Sequence, residues 1–239
     1  MTNAQTPRPW PAWVVPVGVL ALVGILIALV LSLVTPSESG SEESSGPTVV
    51  ENPAGPDLSA AESRDESDLL AAGSADAPVV LVMFSDYQCP FCALWSENTL
   101  PAMMEHAENG DLRIEVRDVN VFGPASERAA RASYAAALQG SFWEYHHALF
   151  VDGHHRTEAN LSEEALIALA GDVGLDTEKF AADLNAPATA EVIAKNQNFG
   201  LELGATSTPM FVLGGKPIIG AQPTEVFEDA FQAALESAR

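Results

Sequence analysis

Cys89 and Cys92 are the only two cysteines in the 239-residue sequence, and they stand in Ser85-Asp86-Tyr87-Gln88-Cys89-Pro90-Phe91-Cys92. Two thiols at this spacing can exchange electrons as a dithiol and disulfide, form an inert bridge, or supply half of a metal site. A disulfide needs its Cα atoms about 4.4–6.8 Å apart, which residues three apart in a first helical turn satisfy. Pro90 suits the first helical position, where a missing N–H costs nothing. Cys89 then becomes the N-cap, with backbone N–H groups and the helix dipole aimed at its sulfur. Such settings lower a cysteine pKa from about 8.5 to roughly 3.5–7.5. A stable thiolate leaves readily, so the disulfide is oxidising. Cys89 is therefore expected to be the exposed nucleophile and Cys92, turned inward, the resolving thiol. Pro90 and Phe91 between them would tune the pair. An inert bridge stabilises most when it closes a long loop, and this one closes a short one. Zinc would need two further ligands, for which His154-His155 is the paired candidate. No metal site is expected.

The surrounding pattern says what must position the pair. Val79 to Phe84 is a continuous apolar run of strand length, suited to a central strand covered on both faces. Ala93 to Ala107 reads as a helix. Leu112 to Val119 alternates apolar and charged residues with strand periodicity. Helices are expected at 126–139, 142–150, 162–170, 177–184 and 188–203. Ser162-Glu163-Glu164-Ala165 and Asp176-Thr177-Glu178 carry N-terminal capping and charge signals. Gly214-Gly215 between Met210–Leu213 and Pro217–Ile219 signals a hairpin, and 224–237 closes as a helix.

The N-terminal third differs in character. Residues 1–11 carry Arg8, and residues 12–34 are free of charge and long enough to cross a hydrocarbon core of ~30 Å. Trp10 and Trp13 suit the interface, and the lone basic flank predicts a cytoplasmic N-terminus. A cleaved signal would carry a shorter apolar core and a small-residue site, which Leu33-Val34-Thr35-Pro36 lacks. Residues 35–75 are rich in Ser, Glu, Pro and Gly, and are read as a flexible acidic linker. Such a linker would give an end-to-end reach on the order of 35 Å. The remaining 76–239 form the domain, placed outside the cytoplasm, where disulfides persist. The net charge of −22 and pI near 4.3 argue against nucleic acid as a partner.

At this point the sequence resembles the DsbA-like thiol–disulfide oxidoreductases of the thioredoxin superfamily, of the membrane-anchored bacterial type. Four segments carry the likeness: Phe84 to Cys92, Gly140 to Phe150, Gly204 to Val212 and Gly214 to Gln222. The resemblance implies an α/β thioredoxin fold interrupted by an α-helical insertion at about 126–203. It implies a cis peptide at Thr208-Pro209 beside the cysteines, with these two residues binding substrate. The aromatic residues Phe142, Trp143 and Tyr145 are expected to be packing residues. One departure matters. Relatives carry a buried acid six positions before the first cysteine, and this chain has Met83 there. Asp86 is the nearest carboxylate, either a loop cap or a candidate proton relay.

The expected function is an extracytoplasmic, single-pass membrane oxidase that introduces disulfides into exported proteins. Its clients are proteins with free thiols, and a membrane partner must reoxidise it. The cysteine pair is itself the redox centre, with no further cofactor, and the domain is expected to act as a monomer. A reductase or isomerase would use the same pair. A chaperone or binding module on the same fold would not need it.

Overall fold

The computed structural model describes residues 56–239. The expected anchor at 12–34 and the first part of the acidic linker lie outside the described residues. Among the described residues no helix is long and apolar enough to cross a membrane.

Five strands form one sheet: β1 (Ala71–Ala72), β2 (Val79–Ser85), β3 (Leu112–Asp118), β6 (Met210–Leu213) and β7 (Lys216–Ile219). Their spatial order is β1-β3-β2-β6-β7, with β2 and β3 parallel and the other neighbours antiparallel. The apolar run at β2 is central and buried along its whole length, as a strand covered on both faces must be. Its odd-numbered residues Val79, Leu81 and Met83 face Trp95, Met103, Phe227 and Phe231. Its even-numbered residues Val80, Val82 and Phe84 face Ala61, Phe199 and Leu203. The Gly214-Gly215 turn joins β6 to β7 with both glycines at positive φ, 54° and 77°. Such a turn matches the right-handed twist of its strands and favours glycine.

The expected helix at 93–107 is two helices, α1 (Pro90–Asn98) and α2 (Leu100–Glu108). Pro101 has no N–H to continue the ladder, so the chain breaks at Thr99 and restarts with proline in the first turn. The insertion contains α3 (Pro124–Ala137), α4 (Phe142–Leu149), α5 (Glu163–Asp172), α6 (Thr177–Leu184) and α7 (Pro187–Glu202). Between α4 and α5 the expected loop carries a two-stranded hairpin, β4 (Phe150–Val151) with β5 (His154–His155). The alanines of α3 make a small-residue face onto which Tyr145, Phe180 and Leu184 pack. The final helix, α8 (Thr224–Ser237), covers the β2–β6 side of the sheet.

The linker expected at 35–75 is corrected over its described part. Residues 57–75 are bound to the domain. Ala61 and Leu70 are buried, and β1 pairs with β3. The physical reason lies on β3, whose charged face is not solvated. Arg113, Glu115 and Arg117 are all buried. Glu115 accepts the N–H groups of Ser63 (2.9 Å) and Arg64 (2.7 Å). It also pairs with Arg113 (2.8 Å) and Arg117 (3.2 Å). Arg113 donates to the carbonyl of Asp65, and Arg117 pairs with Asp68 at 2.7 Å. A polar segment thus docks on a polar strand face through charge-assisted bonds, with little apolar surface to announce it.

Candidate active site

Cys89 lies between the end of β2 and the start of α1. Its backbone is extended (φ −81°, ψ 118°), Pro90 opens the helix, and the Cys89 sulfur accepts the Cys92 N–H at 3.4 Å. This is the N-cap geometry expected from the spacing. Both cysteines carry free thiols. The Cys89 pKa is lowered from 9.0 to about 6. The Cys92 thiol, donating to the Cys89 sulfur, is the largest cause. Burial opposes it, and the Thr208 side chain and the N–H groups of Cys92 and Phe91 add to it. Cys92 moves the other way, well above its ordinary value. Burial is the main cause, followed by the neighbouring Cys89 sulfur, while the Ser85 hydroxyl and Asp86 N–H oppose the shift. The two thiols therefore differ as nucleophile and resolving thiol must.

The expectation of an exposed Cys89 is corrected: the residue is only 1% exposed. The Thr208-Pro209 segment closes over it, with the Cys89 sulfur donating to the Thr208 carbonyl at 3.2 Å. The Thr208-Pro209 peptide is cis. The Thr208 hydroxyl is buried and has no other partner. A thiolate cannot donate to the carbonyl, so the hydroxyl is the group placed to donate to the sulfur once it ionises. Pro90 and Phe91 point outward, Phe91 being 60% exposed. Leu94 on the same helix, and Val121 and Phe122 on the β3–α3 loop, are exposed apolar side chains as well.

Asp86 takes the cap role of its two alternatives. One carboxylate oxygen accepts the Gln88 N–H at 2.7 Å and the other the Phe122 N–H at 3.0 Å. It ties the cysteine loop to the β3–α3 loop, with one N–H on each oxygen. Met83 packs in the apolar cluster beneath α1 and α8. The sequence reading missed two groups near the pair. Asp118 is 1% exposed, and neither of its carboxylate oxygens has a hydrogen-bond partner. Its signal was legible as parity. Leu112, Ile114 and Val116 set the apolar face of β3, and Asp118 continues that face. The second is His146, buried between Tyr87 (3.0 Å) and Ser96 (3.4 Å). Burial, with the nearby His147 charge, lowers its pKa to about 3, so the ring is neutral. Phe142 and Tyr145 are core residues, and the Tyr145 hydroxyl donates to the Leu166 carbonyl at 2.9 Å. Trp143 is half-buried and donates to Ala71. His154 and His155 sit on β5 with their Nδ1 atoms against backbone carbonyls. Among the described residues no three His, Cys, Asp or Glu side chains gather as metal ligands.

Known proteins place this geometry. The family model described as thioredoxin matches residues 66–233. A Na(+)/H(+) antiporter NhaA of Herminiimonas arsenicoxydans is 30% identical over 93% of this chain, which spans only 34% of that protein's length. A probable disulfide bond formation protein D of Bacillus cereus is 26% identical over 60% of this chain and 68% of its own. The crystal structure of oxidised BdbD from Bacillus subtilis superposes with a TM-score of 0.64 at 24% identity. The match covers 70% of this chain and 92% of that one. The likeness to the BdbD structure is one of fold. The chain belongs to the thioredoxin family.

Proposed function

We propose that the protein is an extracytoplasmic oxidase, held at the cell membrane by residues 12–34, that donates the Cys89–Cys92 disulfide to exported proteins. One observation carries the redox role of the pair: the Cys89 pKa is lowered to about 6 while that of Cys92 is raised. Stabilising one thiolate at neutral pH stabilises the reduced form, and so makes the disulfide give up its oxidising equivalents readily. A client thiolate attacks the Cys89 sulfur, the Cys89–Cys92 bond breaks, and Cys92 leaves with the electron pair and takes a proton. A second client thiolate then attacks the client sulfur of the mixed disulfide. The client leaves oxidised and Cys89 leaves as a thiolate. A membrane partner with its own disulfide restores the pair.

The exposed side chains of Phe91, Leu94 and Phe122 suit an unfolded client, whose apolar segments are accessible. The cis Thr208-Pro209 segment, which leads into β6 just before its pairing begins, offers backbone groups for an extended peptide. A reductase reading is favoured by one observation. A Cys89 pKa of about 6 lies nearer the value of about 7 in thioredoxin than the value of about 3.5 in DsbA. The test is thiol loss from a reduced, unfolded client mixed with the oxidised full-length protein. The oxidase reading expects stoichiometric client disulfides and none with Cys89→Ser. Equal client oxidation by Cys89→Ser would overturn it.

A further inference from the structure

The resolving thiol has to give up or accept a proton inside the protein, and Met83 supplies no group to exchange it. The chain at the end of the parallel pair does. Ser85 and Asp118 are register partners on β2 and β3, so their side chains project from the same face of the sheet on strands about 4.8 Å apart. The Ser85 hydroxyl faces the Cys92 sulfur, where it favours the thiolate. It has no hydrogen-bond partner. Beyond it, both oxygens of Asp118 are buried and unpartnered. A buried carboxylate without partners is costly, and most are paired or absent. The two orphaned groups are neighbours across the parallel pair, and Ser85 is the one beside the thiol that must change its protonation state.

We propose that Asp118 is the proton store for Cys92, exchanging its proton with the thiol through the Ser85 hydroxyl. This rests on reading Cys89 and Cys92 as the redox pair. When a client thiolate breaks the disulfide, Cys92 departs as a thiolate. Ser85 passes it a proton and is resupplied by the Asp118 carboxylic acid, leaving Asp118 charged. When a mixed disulfide on Cys89 is resolved from within, the flow reverses. The Cys92 proton moves to the Asp118 carboxylate, the Cys92 thiolate bonds to the Cys89 sulfur, and the bound thiol leaves with the electron pair. Asp118 acts through Ser85 and is a positioning residue.

The groups facing Asp118 fit this duty. Asp86 on the cysteine loop disfavours its charged form, and Arg117 on its own strand favours it. The Arg117 guanidinium is held by Glu115 and Asp68. The Tyr87 phenol lies near both Asp118 and Cys92, and stays protonated because burial raises its pKa well above 10.0. Burial, with the Asp86 charge, brings the Asp118 carboxyl to about 7. At that value it can give and take protons near neutrality, which is where a proton-transfer group works best.

The test uses the reduced full-length protein and dithiobis-nitrobenzoate, with thionitrobenzoate release followed by stopped flow. The first release reports attack by Cys89. The second reports attack by Cys92 on the mixed disulfide. In Asp118→Asn the first phase should be unchanged. The second should slow by about 10²-fold at neutral pH, within the usual range for a lost proton-transfer group, and lose its inflection near pH 7. Ser85→Ala, a small change at a strand end, should slow the same phase and keeps the question open to test if Asp118→Asn does not fold. An unchanged rate and pH profile of the second phase in either folded variant would overturn the proposal. Absence of both phases in the unsubstituted protein would instead overturn the redox pair itself.

Discussion

The Cys92 N–H meets the Cys89 sulfur at 3.4 Å, in the first turn of a helix that Pro90 opens. The residue proposed as the resolving thiol thus favours the thiolate of its partner, through both its backbone and its thiol. The Cys92 thiol is the largest cause of the lowered Cys89 pKa. The asymmetry of the pair is thus mutual, since the Cys89 sulfur is among the causes that raise Cys92.

The first consequence is a pH profile. Alkylation of reduced protein by iodoacetamide should rise through about pH 6, the Cys89 value, and level off by neutrality. In Cys92→Ala the largest favourable contact is gone, so the midpoint should move upward. Mass spectrometry of the labelled peptide against pH checks this. A Cys89 midpoint unmoved by Cys92→Ala would show that the helix N-terminus alone sets the thiolate.

Asp118 should weaken the fold as pH rises. Its pKa goes from 3.8 to about 7 on burial, so the folded state holds the proton more tightly than the unfolded chain. The stability this gives is fully present below pH 3.8 and is lost as pH rises through about 7. At about 1.4 kcal/mol per unit, Asp118→Asn should be equally stable near pH 3 and more stable by about 4 kcal/mol above pH 8. Urea melts at several pH values check this. A variant that is not stabilised at high pH would show the carboxylate to be better solvated than its burial implies.

Glu115 carries the opposite sign. Burial pushes its carboxyl up, but the Ser63 N–H, Arg113, the Arg64 N–H and Arg117 outweigh it, and the pKa ends below 4.5. Its contribution is present above pH 4.5 and is lost as acid brings the pH down through the folded value. Glu115→Ala leaves Arg113 buried without a counter-charge and Arg117 with Asp68 alone, and should cost about 3–5 kcal/mol. It should also free residues 57–75, seen as faster amide exchange there and earlier proteolysis near Arg64. Unchanged protection would mean that β1 and the apolar contacts of Ala61 hold the segment.

Much of this arrangement was legible in the sequence. The apolar run at β2, the proline after Cys89 and the paired glycines at 214 and 215 each have one local solution. The cis bond at Thr208-Pro209 came from resemblance, since no local pattern requires it. Three features were hidden because they depend on distant partners. The buried Arg113–Glu115–Arg117 row looks solvated until a Ser- and Glu-rich segment, itself resembling a linker, covers it. The closure over Cys89 comes from Thr208, more than a hundred residues later. The cap that Asp86 makes reaches Phe122, 36 residues later, which no local pattern shows. Asp118 was the one site signal in plain view: a carboxylate in phase with Leu112, Ile114 and Val116.

The direction of electron flow is decided by the reduction potential of the Cys89–Cys92 pair, measured on the full-length protein by equilibration in glutathione buffers. A donor of disulfides should give a value near about −120 mV, with Cys89→Ser showing no transition. A value near about −270 mV, that of a thiol reductant, would contradict the oxidase account.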